Sequence, residues 1–203
     1  MARPGRVCMP LLTYHVYSRC IEWKNLMEKE YVKELFLEVI TKTQEKYSFE
    51  LSAYVIMENH FHMIIRTVEN GATISRIMQY IKARFAEKFN RMNARIGPFW
   101  NERFRDVIVE HQQSPLTYFL WLLWYIAWNP VRKGLVKKPE HYTFSSINCY
   151  LTENAENRLL ITIHEYYLML GSSFRKRLDH FLQYEEIFRA HIMKNSPKTH
   201  CAR

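Results

Sequence analysis

Residues 49–67 read FELSAYVIMENHFHMIIRT, and two strand-like runs share this stretch. Phe49–Met57 and His60–Thr67 are rich in β-branched and aromatic residues, with only Glu58-Asn59 between them. A two-residue polar link between such runs predicts a hairpin, although Asn59-His60 lacks the glycine of the strongest turns. The second run opens with His60-Phe61-His62. Side chains alternate faces along a strand, so both imidazoles point the same way and could bind one cation.

The flanking segments complete the pattern. Upstream, Thr13–Arg19 (TYHVYSR) alternates as a strand, and Glu28–Lys46 carries Tyr31, Leu35, Val39 and Ile40 at helical spacing. Downstream, Thr73–Asn93 has Ile74, Ile77, Met78, Ile81, Phe85, Phe89 and Met92 on one helical stripe. Arg103–Glu110 (RFRDVIVE) alternates as a fourth strand. Ser114 and Pro115 then suit the start of a helix that Pro130 must stop. The order β-α-β-β-α-β-α is a split-βαβ pattern. It predicts an α+β, ferredoxin-like domain with helices on one face of an antiparallel sheet. The segment PEHYTFSSINCYL (139–151) reads as an irregular arm returning over the core. The polar run TENAENR after it suggests a boundary: a domain over 1–152 and a helical C-terminal appendage over 153–203. Ile163–Leu170 and Phe174–Lys194 would be the appendage's two amphipathic helices.

Composition narrows the partner. In 203 residues, 29 Lys plus Arg stand against 20 Asp plus Glu, a net +9 that suits a polyanion. Cys8, Cys20, Cys149 and Cys201 are scattered without a C-x-x-C pair, which argues against a disulfide framework or structural zinc and for free thiols. The apolar centre of the longest uncharged run, 116–128, is too short for the roughly 20 residues of a membrane span. The N-terminal residues show no apolar core of a signal peptide. The expectation is a cytoplasmic protein without membrane attachment.

Two further features could carry chemistry. Tyr125 and Asn129 are four apart and share a helix face if the last helix reaches its final turn, with Arg132 just beyond. An oxygen ligand beside a phenol makes sense where the phenol is a nucleophile near a metal. Equally, Tyr125 could be one more core aromatic and Asn129 a helix-terminal residue. Residues 76–105 hold eight Lys/Arg and two Glu, and Arg84, Lys88, Arg91 and Arg95 form a stripe beside the apolar helix face. With Phe99, Trp100, Arg103, Phe104 and Arg105 adjacent, aromatics interleaved with arginine suit stacked bases and backbone phosphates of single-stranded DNA.

Together these pieces resemble one family. HVYSR (15–19), AYVIMENHFHMII (53–65), FNRMNARIGPFWNERF (89–104), YIAWNPVRKGLV (125–136) and HYTFSS (141–146) occur in the order found in single-tyrosine HUH transposases. The likeness is strongest to the REP-associated tyrosine transposases and covers roughly residues 4–150. It implies that His60 and His62 are metal ligands, Asn129 a third ligand and Tyr125 the nucleophile. It further implies cleavage and rejoining of single-stranded DNA near hairpins, with Mg²⁺ or Mn²⁺, through a 5′-phosphotyrosine. After the first strand, where relatives often carry small residues or a further arginine, this chain has Cys20-Ile21-Glu22-Trp23. It also has Lys133 where alanine is common. Glu58 is a candidate general base that spacing alone leaves open, as it does self-association. Two competing classes are a non-catalytic nucleic-acid module on the same fold and a metal-dependent hydrolase using water. The K/R-G-F-G-F-V strand of RNA-recognition domains is missing, and a covalent protein–DNA adduct separates the transposase from both.

Overall fold

The computed structural model describes residues 8–195, so Cys201 lies outside the described residues. Strands β1 (Thr13–Arg19), β2 (Phe49–Ile56), β3 (His60–Thr67) and β4 (Arg105–Ile108) form one antiparallel sheet in the order β2-β3-β1-β4. With α1 (Glu30–Lys46) between β1 and β2 and α2 (Ile74–Met92) between β3 and β4, this is the split-βαβ order. The hairpin closes through Glu58-Asn59, where Met57 N–H donates to the His60 carbonyl at 2.8 Å.

One sheet face carries Tyr14, Val16, Phe61, Met63 and Ile65, all fully buried against α1 and α2. Phe36 of α1 meets Phe61 at 4.8 Å between centroids and Phe85 of α2 at 4.9 Å. On α2, Ile74 through Phe89 of the expected stripe is buried, but Met92 is 60% exposed because the helix runs past the sheet. Tyr31, at the first turn of α1, is likewise exposed. Thr73 caps α2 by accepting from the Arg76 N–H.

The expectation of helices on one face needs correcting. α3 (Pro115–Ala127) covers the other face, packing on β2. Its mostly apolar sequence is what a helix buried between a sheet and a further helix requires. Strand β4 is half its expected length. Beyond Ile108 the Glu110 carboxylate accepts from the Thr13 N–H at 2.9 and 3.0 Å, a side chain standing where a ladder bond would be. α3 ends at Ala127, and a second turn, α4 (Asn129–Arg132), takes Pro130 in its first turn, where a missing N–H costs nothing. Gly134, at φ +73°, closes it: Gly134 N–H reaches the Val131 carbonyl and Leu135 N–H the Pro130 carbonyl.

The arm after Val136 lies along β2. Ile56 N–H donates to the Phe144 carbonyl, Tyr54 N–H to Ser146 Oγ, and Tyr142 Oη to the Ile56 carbonyl. It includes the short helix α5 (Asn148–Leu151). Of the two helices expected beyond Glu153, α6 is one turn (Glu165–Leu168) and α7 spans Phe174–Asn195. This segment packs into the domain core: Trp124 of α3 stacks on Phe181 at 4.4 Å and donates its indole N–H to the Phe181 carbonyl, and Phe188 is fully buried. His164 Nε2 also meets Thr13 Oγ1 of β1 at 2.9 Å. Phe181→Ala is therefore expected to destabilise the whole fold by about 3–5 kcal/mol, in a single unfolding transition. Urea denaturation followed by tryptophan fluorescence tests this; an early separate transition would make residues 153–195 an independent unit. No helix among the described residues is long and apolar enough to cross a membrane.

Candidate active site

The β1–β3 register sets His60 opposite Arg19 and His62 opposite Tyr17. Alternation then places His60 and His62 on the sheet face under α3, away from Phe61. His15, two residues before Tyr17 on β1 and so on the same face, joins them: its Nε2 lies 2.9 Å from His62 Nδ1. The His60 and His62 rings meet edge to face at 5.2 Å. From α3, the half-buried Tyr125 sets its ring edge to face with His62 at 5.5 Å and with His15 at 6.2 Å. Its other support is Trp121, stacked at 5.4 Å with 13° between planes. Asn129 donates from Nδ2 to the Tyr125 carbonyl at 2.7 Å, the four-residue spacing expected, and its side chain lies near enough to His60 to favour the protonated imidazole. The four residues singled out from sequence thus meet, drawn from β3, α3 and α4.

Their donor atoms suit a divalent cation. Asn59 Nδ2 donates to the Trp23 carbonyl at 3.1 Å, so its Oδ1 accepts from His60 Nδ1–H at 2.7 Å. That leaves His60 Nε2 with its lone pair. His15 does the same for His62 by engaging Nδ1. Burial holds all three imidazoles neutral, the ligating form. It pushes His15 down to about 4. His60 is also held near 4, chiefly by burial and secondly by the Arg19 charge, and His62 sits well below the usual histidine range. Among the described residues, no group of three His, Cys, Asp or Glu side chains could hold a metal. The available set is two imidazoles and the Asn129 amide oxygen. Because the unfolded histidines take up protons near pH 6.5 and the folded ones only near 4, stability is full above pH 6.5 and is lost as pH falls through about 4. Urea midpoints measured in chelator across pH 4–8 should show this loss; a flat profile would contradict it.

Other expected residues fall elsewhere. Arg84 and Arg91 both pair with Glu87, Lys88 pairs with Glu38 of α1, and Arg105 pairs with Glu102. Acidic partners are therefore not few, as the run of charges suggested; Glu38 lies 50 residues away in the chain. Arg95 is occupied in fixing the following turn, donating to Asn90 Oδ1 and the Pro98 carbonyl. The stripe rides on α2, across the sheet from the histidines. The aromatics beside it are core: Phe99 and Phe104 are buried, and Trp100 packs among Phe36, Phe61, Phe85 and Phe99 with its N–H on the Lys82 carbonyl. Arg132 is exposed on α4. Glu58 lies in the fields of Lys33 and Tyr142. His15, Arg19, Tyr17 and Lys133, whose charge reaches His60, surround the site but were not singled out. The strand register reveals the three on β1, and the turn after α4 brings in Lys133. Tyr118, one heptad before Tyr125, is held above the usual phenol range by burial first and then by Tyr125 and Tyr17.

Three comparisons bear on this arrangement. The family model for IS200-like transposases matches residues 8–117, which include His60 and His62 and end before Tyr125. A Haemophilus influenzae protein provisionally named a REP-associated tyrosine transposase is 26% identical over 128 residues, covering 59% of this chain and 70% of that protein. A solved structure of a REP-associated tyrosine transposase bound to a REP hairpin superposes with a TM-score of 0.62 at 20% identity, over 80% of this chain and 92% of the other. At that identity the superposition speaks for the fold, which it matches.

Proposed function

The chain belongs to the IS200-like transposase family and is a tyrosine transposase of that family; from that premise we propose that it cleaves and rejoins single-stranded DNA beside hairpins, with Tyr125 as nucleophile. The observation that carries this reading is the convergence of Tyr125 from α3 and Asn129 from α4 on the two histidines of β3. His60 Nε2, His62 Nε2 and Asn129 Oδ1 would hold Mg²⁺ or Mn²⁺. Such an ion, when bound, neutralises phosphate charge and favours the deprotonated phenol.

The chain's own residues do the rest. Trp121 and the imidazole edges hold the Tyr125 ring, which lowers the entropy cost of attack. The Tyr125 oxygen forms a bond to phosphorus as the bond from phosphorus to the 3′ oxygen breaks. The phenol proton ends on the released 3′-hydroxyl, and the 5′ side stays on Tyr125. Attack by another 3′-hydroxyl reverses these changes and joins strands, so no nucleoside triphosphate is consumed. The cations near the phosphate are Arg19 and Lys133, which lie close enough to His60 to disfavour its protonation.

Hairpin DNA as partner is supported by the solved relative's ligand. Because the stripe of Arg84, Lys88 and Arg91 lies across the sheet from Tyr125, we assign it to the duplex stem and the histidine face to the unpaired flank. An Arg84/Lys88/Arg91 triple alanine variant should then flatten the salt dependence on hairpin DNA by up to about 2.7 in log–log slope, at about 0.9 per phosphate contact. The same variant should bind a hairpin-free single strand as wild type does. An unchanged slope on hairpin DNA would leave the stripe as an ion-paired, solvated face. For cleavage itself, the test is a labelled hairpin with unpaired flanks, incubated with Mg²⁺ or Mn²⁺. A denaturant-stable protein–DNA adduct supports the reading; cleavage without one would favour a hydrolase, and binding without cleavage a non-catalytic module.

A further inference from the structure

Beside the histidines, β1 and the turn after it enclose a cavity of about 210 Å³, lined by Tyr17, Arg19, Trp23, Glu102, Arg103 and Arg105, among others. It adjoins the site directly. The Tyr17 ring is 5.4 Å from that of His62, and Arg19 pairs across the ladder with His60. The turn Ile21–Trp23 has left-handed backbone at Glu22 (φ 52°) and Trp23 (φ 60°), conformations that are costly for residues other than glycine. Surrounding bonds hold it: Ile21 N–H on the Phe99 carbonyl, and Asn59 Nδ2 on the Trp23 carbonyl. The same Asn59 fixes His60, so turn and metal-side strand share one anchor.

The result is a tryptophan left largely in water. Trp23 is 61% exposed, with the Arg19 guanidinium 4.2 Å from its ring centroid. A stacked guanidinium keeps its N–H edge available for phosphate. A large exposed aromatic on a basic cavity, touching the cleavage site, is the arrangement that binds a base by its face and its phosphate by charge. Arg105 is partly spent on Glu102, which leaves Arg19 and Arg103 better placed for an anion.

We propose that Trp23, with Arg19, Tyr17 and Arg103, binds one unpaired nucleotide immediately flanking the cleaved phosphate, its base stacked on the indole. This rests on the single-strand cleavage reading above, and deepens it by naming where the flank is held. The occupant is a nucleotide because the cavity continues the histidine face on which the scissile phosphate must lie.

The test is binding, by fluorescence anisotropy, of hairpin oligonucleotides whose unpaired flanks carry an abasic site at each position in turn. Wild type should lose about tenfold in affinity at one flank position, the loss expected for one stacked base. Trp23→Ala should lose a similar factor on intact DNA and show no further loss at that position, while Trp23→Phe should restore most of the affinity. Circular dichroism should show Trp23→Ala folded, since its side chain is mostly exposed. If Trp23→Ala keeps the wild-type pattern of abasic sensitivity, the subsite is wrong even though single-strand binding stands. If wild type binds flanked hairpins no better than plain duplex, the single-strand reading fails first and the subsite with it.

Discussion

Tyr125→Phe will abolish the covalent protein–DNA adduct and reduce strand cleavage by on the order of 10⁶-fold, the scale of deleting a nucleophile from an assembled site. DNA affinity should change little. The substitution removes one oxygen and keeps the ring that stacks on Trp121 and faces His62 and His15, so the packing of α3 on the sheet persists. Gel assays of cleavage and anisotropy measurements of binding, on one hairpin substrate, check both halves. An adduct that survives in this variant would move the nucleophile, with Tyr118 the first suspect, because it shares the electrostatic neighbourhood of Tyr125 and Tyr17.

His62→Ala comes second in size. Losing one of two imidazole donors should cut cleavage by on the order of 10³-fold at limiting Mg²⁺ or Mn²⁺, the several kcal/mol of charge stabilisation that a bound cation supplies. His60→Ala should behave alike. Asn129→Ala should be milder, since a carboxamide oxygen is the weakest of the three donors, though it also loses the bond to the Tyr125 carbonyl. Titrating the metal separates the effects: a ligand variant should recover part of its activity at high Mn²⁺. Normal cleavage by either histidine variant at limiting metal would remove the metal site from the account. As a fold control, thermal unfolding in chelator should show both variants folded, because the neutral imidazoles are not ion-paired in the metal-free protein.

What could be read from the chain alone follows from periodicity. Alternation on one strand puts His60 and His62 on one face, and a four-residue helical step relates Tyr125 to Asn129; both are local and both hold in the structure. The sheet order also follows from local signals, because a hairpin between two strand–helix units leaves few ways to pair. What failed needed distance in the chain. His15 reaches His62 only through the β1–β3 register, and Glu38 reaches Lys88 only because α1 lies beside α2. Phe99, Trp100 and Phe104 look like an exposed aromatic cluster when β4 is taken as eight residues. With β4 shortened to Arg105–Ile108, the loop before it dips into the core instead. The helical segment beyond Glu153 reads as separate because its own apolar stripe is weak, yet Phe181 and Phe188 are completed by Trp124 and Trp121 of α3.

The central claim, that Tyr125 carries the DNA, is tested most directly by mass spectrometry of the trapped adduct. Trypsin leaves Tyr118 and Tyr125 on one peptide, residues 106–132, and fragment ions resolve the two. The nucleotide should sit on Tyr125, joined through its 5′ phosphate, with the released strand ending in a 3′-hydroxyl. A nucleotide on Tyr118 or Tyr17, a 3′ linkage, or cleaved DNA with no modified peptide would contradict the account.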